Sequence, residues 1–116
     1  RALVVDDNEL IRKLVKNMLK MCKCEEAENG LEALKKCEEH EFDFIILDII
    51  MPLIDGFEAA KILRNERKVK TPILALTGNS LQEEIDALLK IGVNKVMIKP
   101  IKRLELFSEL RDVLTE

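Results

Sequence analysis

The stretch that most constrains this chain runs from Phe44 to Pro52. Phe44-Ile45-Ile46-Leu47 is an unbroken apolar run that stops at a single carboxylate, Asp48. A run this short and continuous suits a strand buried on both faces, the environment of a parallel sheet. Asp48 then stands at the strand's carboxyl end, where open α/β sheets place their chemistry. Pro52 has no N–H and biases Met51 away from helix, so a turn is expected there.

Similar runs occur at Ala2–Val5, Ile73–Leu76 and Lys95–Ile98, with a weaker one at Cys24–Ala27. Helical periodicity fills the gaps. Leu10, Leu14, Met18, Ile11 and Val15 form an apolar stripe on a first helix that Asn8 or Asp7 can cap. Leu31, Leu34 and Cys37 give the face of a second helix, entered at Asn29-Gly30 and ended by His40. After a turn at Asp55-Gly56, Phe57 to about Arg64 reads as a third, with Ala59, Ala60, Ile62 and Leu63 supplying apolar surface. Ser80-Leu81-Gln82-Glu83 has the form of a capping box. It would open a fourth helix with Ile85, Leu88 and Leu89 inward and Gly92 at its C-terminal stop. Leu104, Phe107, Leu110, Val113 and Leu114 mark the last. Strands alternating with helices predict right-handed crossovers and a doubly wound α/β fold, with helices on both faces of a five-stranded parallel sheet. The 116 residues suit one compact domain, residues 1–116.

Several functions are disfavoured at this point. A net charge of −3 does not favour nucleic-acid binding. No apolar run approaches the roughly 20 residues that span a bilayer, so no membrane contact is expected. The chain has no Trp and no Tyr, which argues against stacking on a base or flavin ring. Cys22, Cys24 and Cys37 lack the spacing of a metal or redox motif. They read as packing residues, and free thiols point to a reducing, cytoplasmic location. His40-Glu41 resembles a kinase phosphoacceptor pair, but no second long helix is available to build the bundle that such a pair needs.

What remains is a set of polar groups at the strand tips. The first strand ends in Asp6-Asp7, the third in Asp48, the fourth in Thr77 and the fifth in Lys99. In a parallel sheet these tips share one edge. Three carboxylates there repel one another and call for a cation, and hard oxygen ligands select Mg²⁺ or Mn²⁺. A metal, an ammonium and a hydroxyl around one carboxylate can stabilise the charged oxygens of a phosphoryl group in transfer. Asp48 is the candidate nucleophile for that transfer.

With these residues the chain resembles the receiver domains of two-component response regulators. The resemblance rests on Asp6-Asp7, Asp48 with Met51-Pro52 and Asp55-Gly56, Thr77, Lys99-Pro100, and Glu28-Asn29-Gly30-Leu31-Glu32-Ala33-Leu34. It implies a flavodoxin-like (βα)5 fold with strand order 2-1-3-4-5 and a cis Lys99-Pro100 bond. It implies that Asp48 accepts phosphate from a phosphohistidine on a histidine kinase or histidine phosphotransfer protein. Asp7, Asp48 and the backbone carbonyl of Ile50 are expected to bind Mg²⁺ directly, with Asp6 helping through water. Lys99 is expected to pair with the phosphoryl group, and Thr77 to move toward it while repacking the face of the fourth helix, fifth strand and fifth helix. Such a domain is a signalling switch or relay carrier that catalyses only its own phosphorylation and dephosphorylation. Kinase or phosphotransfer helices would dock on the first helix and the loop after the fifth strand.

Two positions depart from the common pattern. Val96 stands where the family often carries Tyr or Phe, so the aromatic switch is absent or altered, as in receivers of hybrid kinases and relays. Ile50, two residues beyond Asp48, is apolar and should orient water poorly, which predicts slow self-dephosphorylation; Asn79, two residues beyond Thr77, is the other position that sets that rate. Rival readings are a hydrolase of external phosphate esters, a flavin- or nucleotide-binding module, and a non-phosphorylated scaffold. The hydrolase would need a second Asp where Ile50 stands. The flavin module would need a phosphate-binding loop after the first strand, where Asp6-Asp7 would repel the anion.

Overall fold

The computed structural model describes residues 1–49, 55–78 and 81–115. Elements alternate as β1 (Ala2–Val5), α1 (Glu9–Met18), β2 (Cys24–Ala27), α2 (Gly30–Glu39), β3 (Phe44–Asp48), α3 (Gly56–Lys61), β4 (Ile73–Thr77), α4 (Gln82–Lys90), β5 (Lys95–Ile98) and α5 (Arg103–Leu114). The strands form one parallel sheet in the order β2-β1-β3-β4-β5. The Lys99-Pro100 bond is cis. Among the described residues no helix is long and apolar enough to cross a membrane.

Side chains alternate across a strand with period two, and here the two parities build two cores. Leu3, Val5, Ile45, Leu47, Ile73 and Ala75 face α2, α3 and α4, packing with Ala33, Leu34, Ala60 and Leu88. Ala2, Val4, Phe44, Ile46, Leu74, Leu76 and Met97 face α1 and α5, packing with Val15, Leu19, Leu106, Leu110 and Val113. Every residue of β1, β3 and β4 is buried, which is why those strands read as unbroken apolar runs. Cys22 and Cys24 pack against the α1/α5 core and Cys37 against the other; all three thiols are free.

The helical faces differ from the periodicity in several places. On α1 the inward row is Ile11, Val15 and Met18, continued by Leu19, while Leu10 and Leu14 are 74% and 44% exposed. On α2, Ala33 is buried and Leu31 exposed. Leu89 on α4, and Leu104 and Leu114 on α5, are exposed, and Leu106 takes the inward place on α5. In each case the apolar residues form a band wider than the sheet can cover.

The third helix also changes its winding. After Lys61 it continues as a π-helical turn over Ile62–Glu66, with the Arg67 N–H donating to the Ile62 carbonyl. Lys68 then adopts the left-handed conformation at φ 56°, and the Val69 N–H donates to the Leu63 carbonyl at 2.8 Å. The bond reaches one residue farther back than in the usual helix-ending reverse turn, in keeping with the π-wound end, and lysine stands where glycine is usual. Arg64 fixes this end to the turn after α4, donating to the carbonyls of Gly92 (2.8 Å) and Val69 (2.7 Å) and to Asn94 Oδ1 (2.8 Å).

Asn8, Asn29 and Asp55 cap α1, α2 and α3 through their side-chain oxygens, so Asp55-Gly56 is a helix start as much as a turn. The helix α4 begins one residue later than the Ser80 capping box implies, with Leu81 at its N-cap. Ser80 lies outside the described residues, as do Ile50, Met51, Pro52 and Asn79.

Candidate functional site

Sheet register brings the strand tips together. Val5 pairs with Leu47, Asp48 with Leu76, and Thr77 with Ile98. Asp6 and Asp48 therefore occupy one row, Thr77 the next, and Lys99 follows Ile98. The Lys99 N–H donates to the Thr77 carbonyl at 2.8 Å, holding β5 at this level. Asp6 and Asp48 continue the parity of Val4 and Ile46, on the side of α1 and α5. Thr77 continues the parity of Ala75, on the side of α4.

The side chains converge as that placement implies. Lys99 Nζ lies 2.8 Å from Asp48 Oδ1 and 3.6 Å from Asp6 Oδ2. Asp6, Asp7 and Asp48 each offer a carboxylate oxygen, and these oxygens lie within 4.8 Å of one another. Asp6, Asp48 and Thr77 are almost fully buried, whereas Asp7 is exposed. Burial raises the Asp48 carboxyl above its ordinary pKa despite the opposing pull of Lys99. Burial also raises Asp6, helped by the neighbouring acids and opposed by the Asn8 N–H and Lys99. Burial alone would lower Lys99, but its hydrogen bond to Asp48 and the nearby negative charge outweigh that and raise it.

Among the described residues, the ammonium of Lys99 pairs with two members of a three-acid cluster, and the charge is under-compensated. Asp6 Oδ2 is buried and accepts no hydrogen bond among the described residues, a costly state for a polar atom. An all-oxygen donor set with an unsatisfied carboxylate oxygen fits a hard divalent cation, and Asp6, Asp7 and Asp48 are the described residues that could hold it.

Three features of the site were not evident in the sequence. Gly56 presses against the tip of β3: a Cβ built there would lie 2.1 Å from the Asp48 carbonyl oxygen and 2.6 Å from Ile49 Cα. Only glycine permits that approach, and its N–H donates to the Ile49 carbonyl at 2.8 Å. Arg12, one of several cations on α1, sends Nη1 to the Asp6 carbonyl at 2.8 Å. The Thr77 hydroxyl lies 3.4 Å from Glu84 Oε1 on α4, as donor to that carboxylate. The Asp55-Gly56 pair gave a signal for the first, read only as a turn. The other two depend on which face of a helix meets the sheet edge, which spacing alone does not give.

The sequence model of the response regulator receiver domain family matches residues 2–111. The chain belongs to this family. Among relatives of the receiver, the autoinducer 2 sensor kinase/phosphatase LuxQ of Vibrio vulnificus is 35% identical over 112 residues, covering 95% of this chain. The receiver spans only 13% of that protein's length. Chemotaxis protein CheY4 of Vibrio cholerae superposes with a TM-score of 0.90 at 36% identity, covering 97% of both chains. The receiver domain of the sensor histidine kinase PA1611 from Pseudomonas aeruginosa PAO1 superposes with a TM-score of 0.88 at 30% identity, covering 99% of this chain and 97% of that one. That structure has a magnesium ion coordinated in its active-site cleft. The receiver is therefore a domain of two-component signalling with a flavodoxin-like fold.

Proposed function

We propose that this receiver accepts a phosphoryl group from a phosphohistidine onto Asp48, in a Mg²⁺-dependent reaction, and so acts as a signalling switch or relay carrier. The observation that carries the reading is the Lys99–Asp48 contact at 2.8 Å beside three carboxylates whose oxygens lie within 4.8 Å of one another. Lys99 engages Oδ1, which leaves the other Asp48 oxygen to attack phosphorus. The P–O bond to Asp48 forms as the P–N bond to the donor imidazole breaks, and the imidazole leaves with its electron pair and takes up a proton. As negative charge moves onto Asp48, Lys99 stays close enough to neutralise a phosphoryl oxygen. Thr77 offers a hydroxyl donor on the α4 side; to reach the phosphoryl group it would give up its contact with Glu84.

Asp7 and Asp48 would hold Mg²⁺ directly and Asp6 through water, with the Ile50 carbonyl, which lies outside the described residues, completing the protein ligands. Bound there, the ion supplies positive charge that screens the acids from the incoming phosphoryl oxygens. The magnesium-bearing PA1611 receiver supports this assignment.

The partner would be a histidine kinase or phosphotransfer protein, docking with an apolar helix. A cleft of about 390 Å³ beside Lys99 is lined by Ile11, Leu14, Leu76, Pro100 and Ile101, and the exposed Leu10 and Leu104 extend the apolar surface of α1 and α5. Apolar anchors in a groove beside the reacting group suit helix recognition. The test is intact-mass spectrometry after incubation with acetyl phosphate and Mg²⁺. One phosphoryl adduct is expected, not formed when EDTA replaces Mg²⁺ and absent in Asp48→Asn; an adduct that persists in Asp48→Asn would defeat the reading.

A further inference from the structure

Asp6 is tied to the edge strand β2 through both of its backbone polar groups. Its N–H donates directly to the Ala27 carbonyl at 3.1 Å. Its carbonyl accepts from Arg12 Nη1 at 2.8 Å, and the same guanidinium donates through Nε to Glu26 Oε1 at 3.0 Å. Glu26 precedes Ala27 on β2, and its second oxygen accepts from Lys16 Nζ at 2.8 Å. Asp6 Oδ1 is also occupied, accepting from the Asn8 N–H at 2.9 Å. Among the described residues, Oδ2 is the one Asp6 oxygen without a hydrogen bond, and it faces Lys99 at 3.6 Å.

We propose that Arg12, neutralised by Glu26, is a positioning residue that sets the acidic β1–α1 loop for its cation. The Arg12 side chain is only 13% exposed and reaches the main chain of Asp6, one of the three acids. A guanidinium there could pair with those carboxylates and compete with a metal. Glu26 prevents this by taking Nε, and the fork then directs Nη1 to a main-chain carbonyl. Lys16 foremost, with Arg12, holds the Glu26 carboxyl below its ordinary pKa against burial, so the pair stays charged. A lysine offers a point charge on a flexible stem and cannot span the carbonyl and carboxylate in this fixed geometry. Two of the three acids, Asp6 and Asp7, hang on the backbone that Arg12 clamps.

This inference rests on the Mg²⁺ reading above for its consequence, and its geometry can be tested apart from that reading. The Asn8 amide reports the loop, because it donates to Asp6 Oδ1, and the Ile46 amide reports the buried sheet. Hydrogen exchange of both is measured by NMR in metal-free wild type, Arg12→Met and Arg12→Lys, with Mg²⁺ affinity by calorimetry in parallel. In Arg12→Met the Asn8 amide should exchange on the order of tenfold faster with Ile46 unchanged. Mg²⁺ should bind about tenfold more weakly, the lower end of what loss of a ligand-orienting partner costs. Arg12→Lys should recover less than about half of each change. Asn8 exchange equal to wild type in Arg12→Met, or Ile46 accelerating in step with it, would overturn the proposal. If wild type itself binds no Mg²⁺, the metal reading fails, and the comparison of Asn8 with Ile46 still decides the positioning role.

Discussion

Replacing Gly56 by alanine tests how the nucleophile's strand tip is built. The added Cβ would sit 2.1 Å from the Asp48 carbonyl oxygen, 2.6 Å from Ile49 Cα and 2.9 Å from the Asp48 carbonyl carbon. All three are backbone atoms, so no rotamer change relieves the overlap; α3 or the tip of β3 must move by about 1.5 Å to restore ordinary contact. Overpacking of this kind costs about 1–3 kcal/mol, and a rigid backbone neighbour puts it at the upper end. The Gly56 N–H bond to Ile49 is strained by the same movement, for about 1 kcal/mol more. The expected loss is roughly 4 kcal/mol, or about 16 °C in thermal midpoint for a domain of this size. Gly78→Ala is the control, because no described atom lies within 4 Å of its added Cβ; it should stay within about 0.5 kcal/mol of wild type. Urea denaturation followed by circular dichroism gives both values. A Gly56→Ala midpoint indistinguishable from that of Gly78→Ala would refute the argument from close approach.

Lys68→Gly should stabilise the domain by up to about 1 kcal/mol, since it relieves a left-handed non-glycine residue at a modest entropic cost; the same denaturation assay reads it, and a loss of stability would contradict it. Without Mg²⁺, the contribution of Asp6 and Asp48 to thermal stability should fall as pH rises from about 3.8 through their raised pKa values, because at these groups the native state binds protons that the unfolded chain has released. Saturating Mg²⁺ should flatten that contribution, and Asp6→Asn should remove part of it; scanning calorimetry of both proteins across pH would expose identical metal-free profiles as a contradiction. Leu10→Asp with Leu104→Asp should slow phosphoryl transfer from a histidine kinase by tenfold or more, on the scale of hot-spot losses of 1–2 kcal/mol, while labelling by acetyl phosphate stays at the wild-type rate. Equal slowing with both donors would place the defect outside docking.

The sheet was legible because β1, β3 and β4 are buried on both faces and so carry unbroken apolar runs. Their shared polarity then brought Asp6, Asp48, Thr77 and Lys99 to one edge, and the register in the structure agrees. The helices were less legible. Leu10, Leu14, Leu31, Leu89 and Leu104 keep helical spacing with the core residues, yet spacing does not say which flank meets the sheet and which faces solvent. The π-helical turn after Lys61 had no signal in composition. Arg64, inside that turn, is held by Gly92 and Asn94, far away in sequence. Arg12 is one of several cations on α1, and only the proximity of β2 gives it a partner in Glu26.

The central claim is that Asp48, among three neighbouring acids, is the one that carries phosphate. Borohydride reduces an acyl phosphate to the alcohol, so phosphorylation in Mg²⁺ followed by reduction and peptide mapping marks the acceptor. Homoserine at position 48, with Asp6 and Asp7 intact, is the predicted result. Homoserine at position 6 or 7, or none anywhere in a chain that has gained a phosphoryl group, would contradict the account.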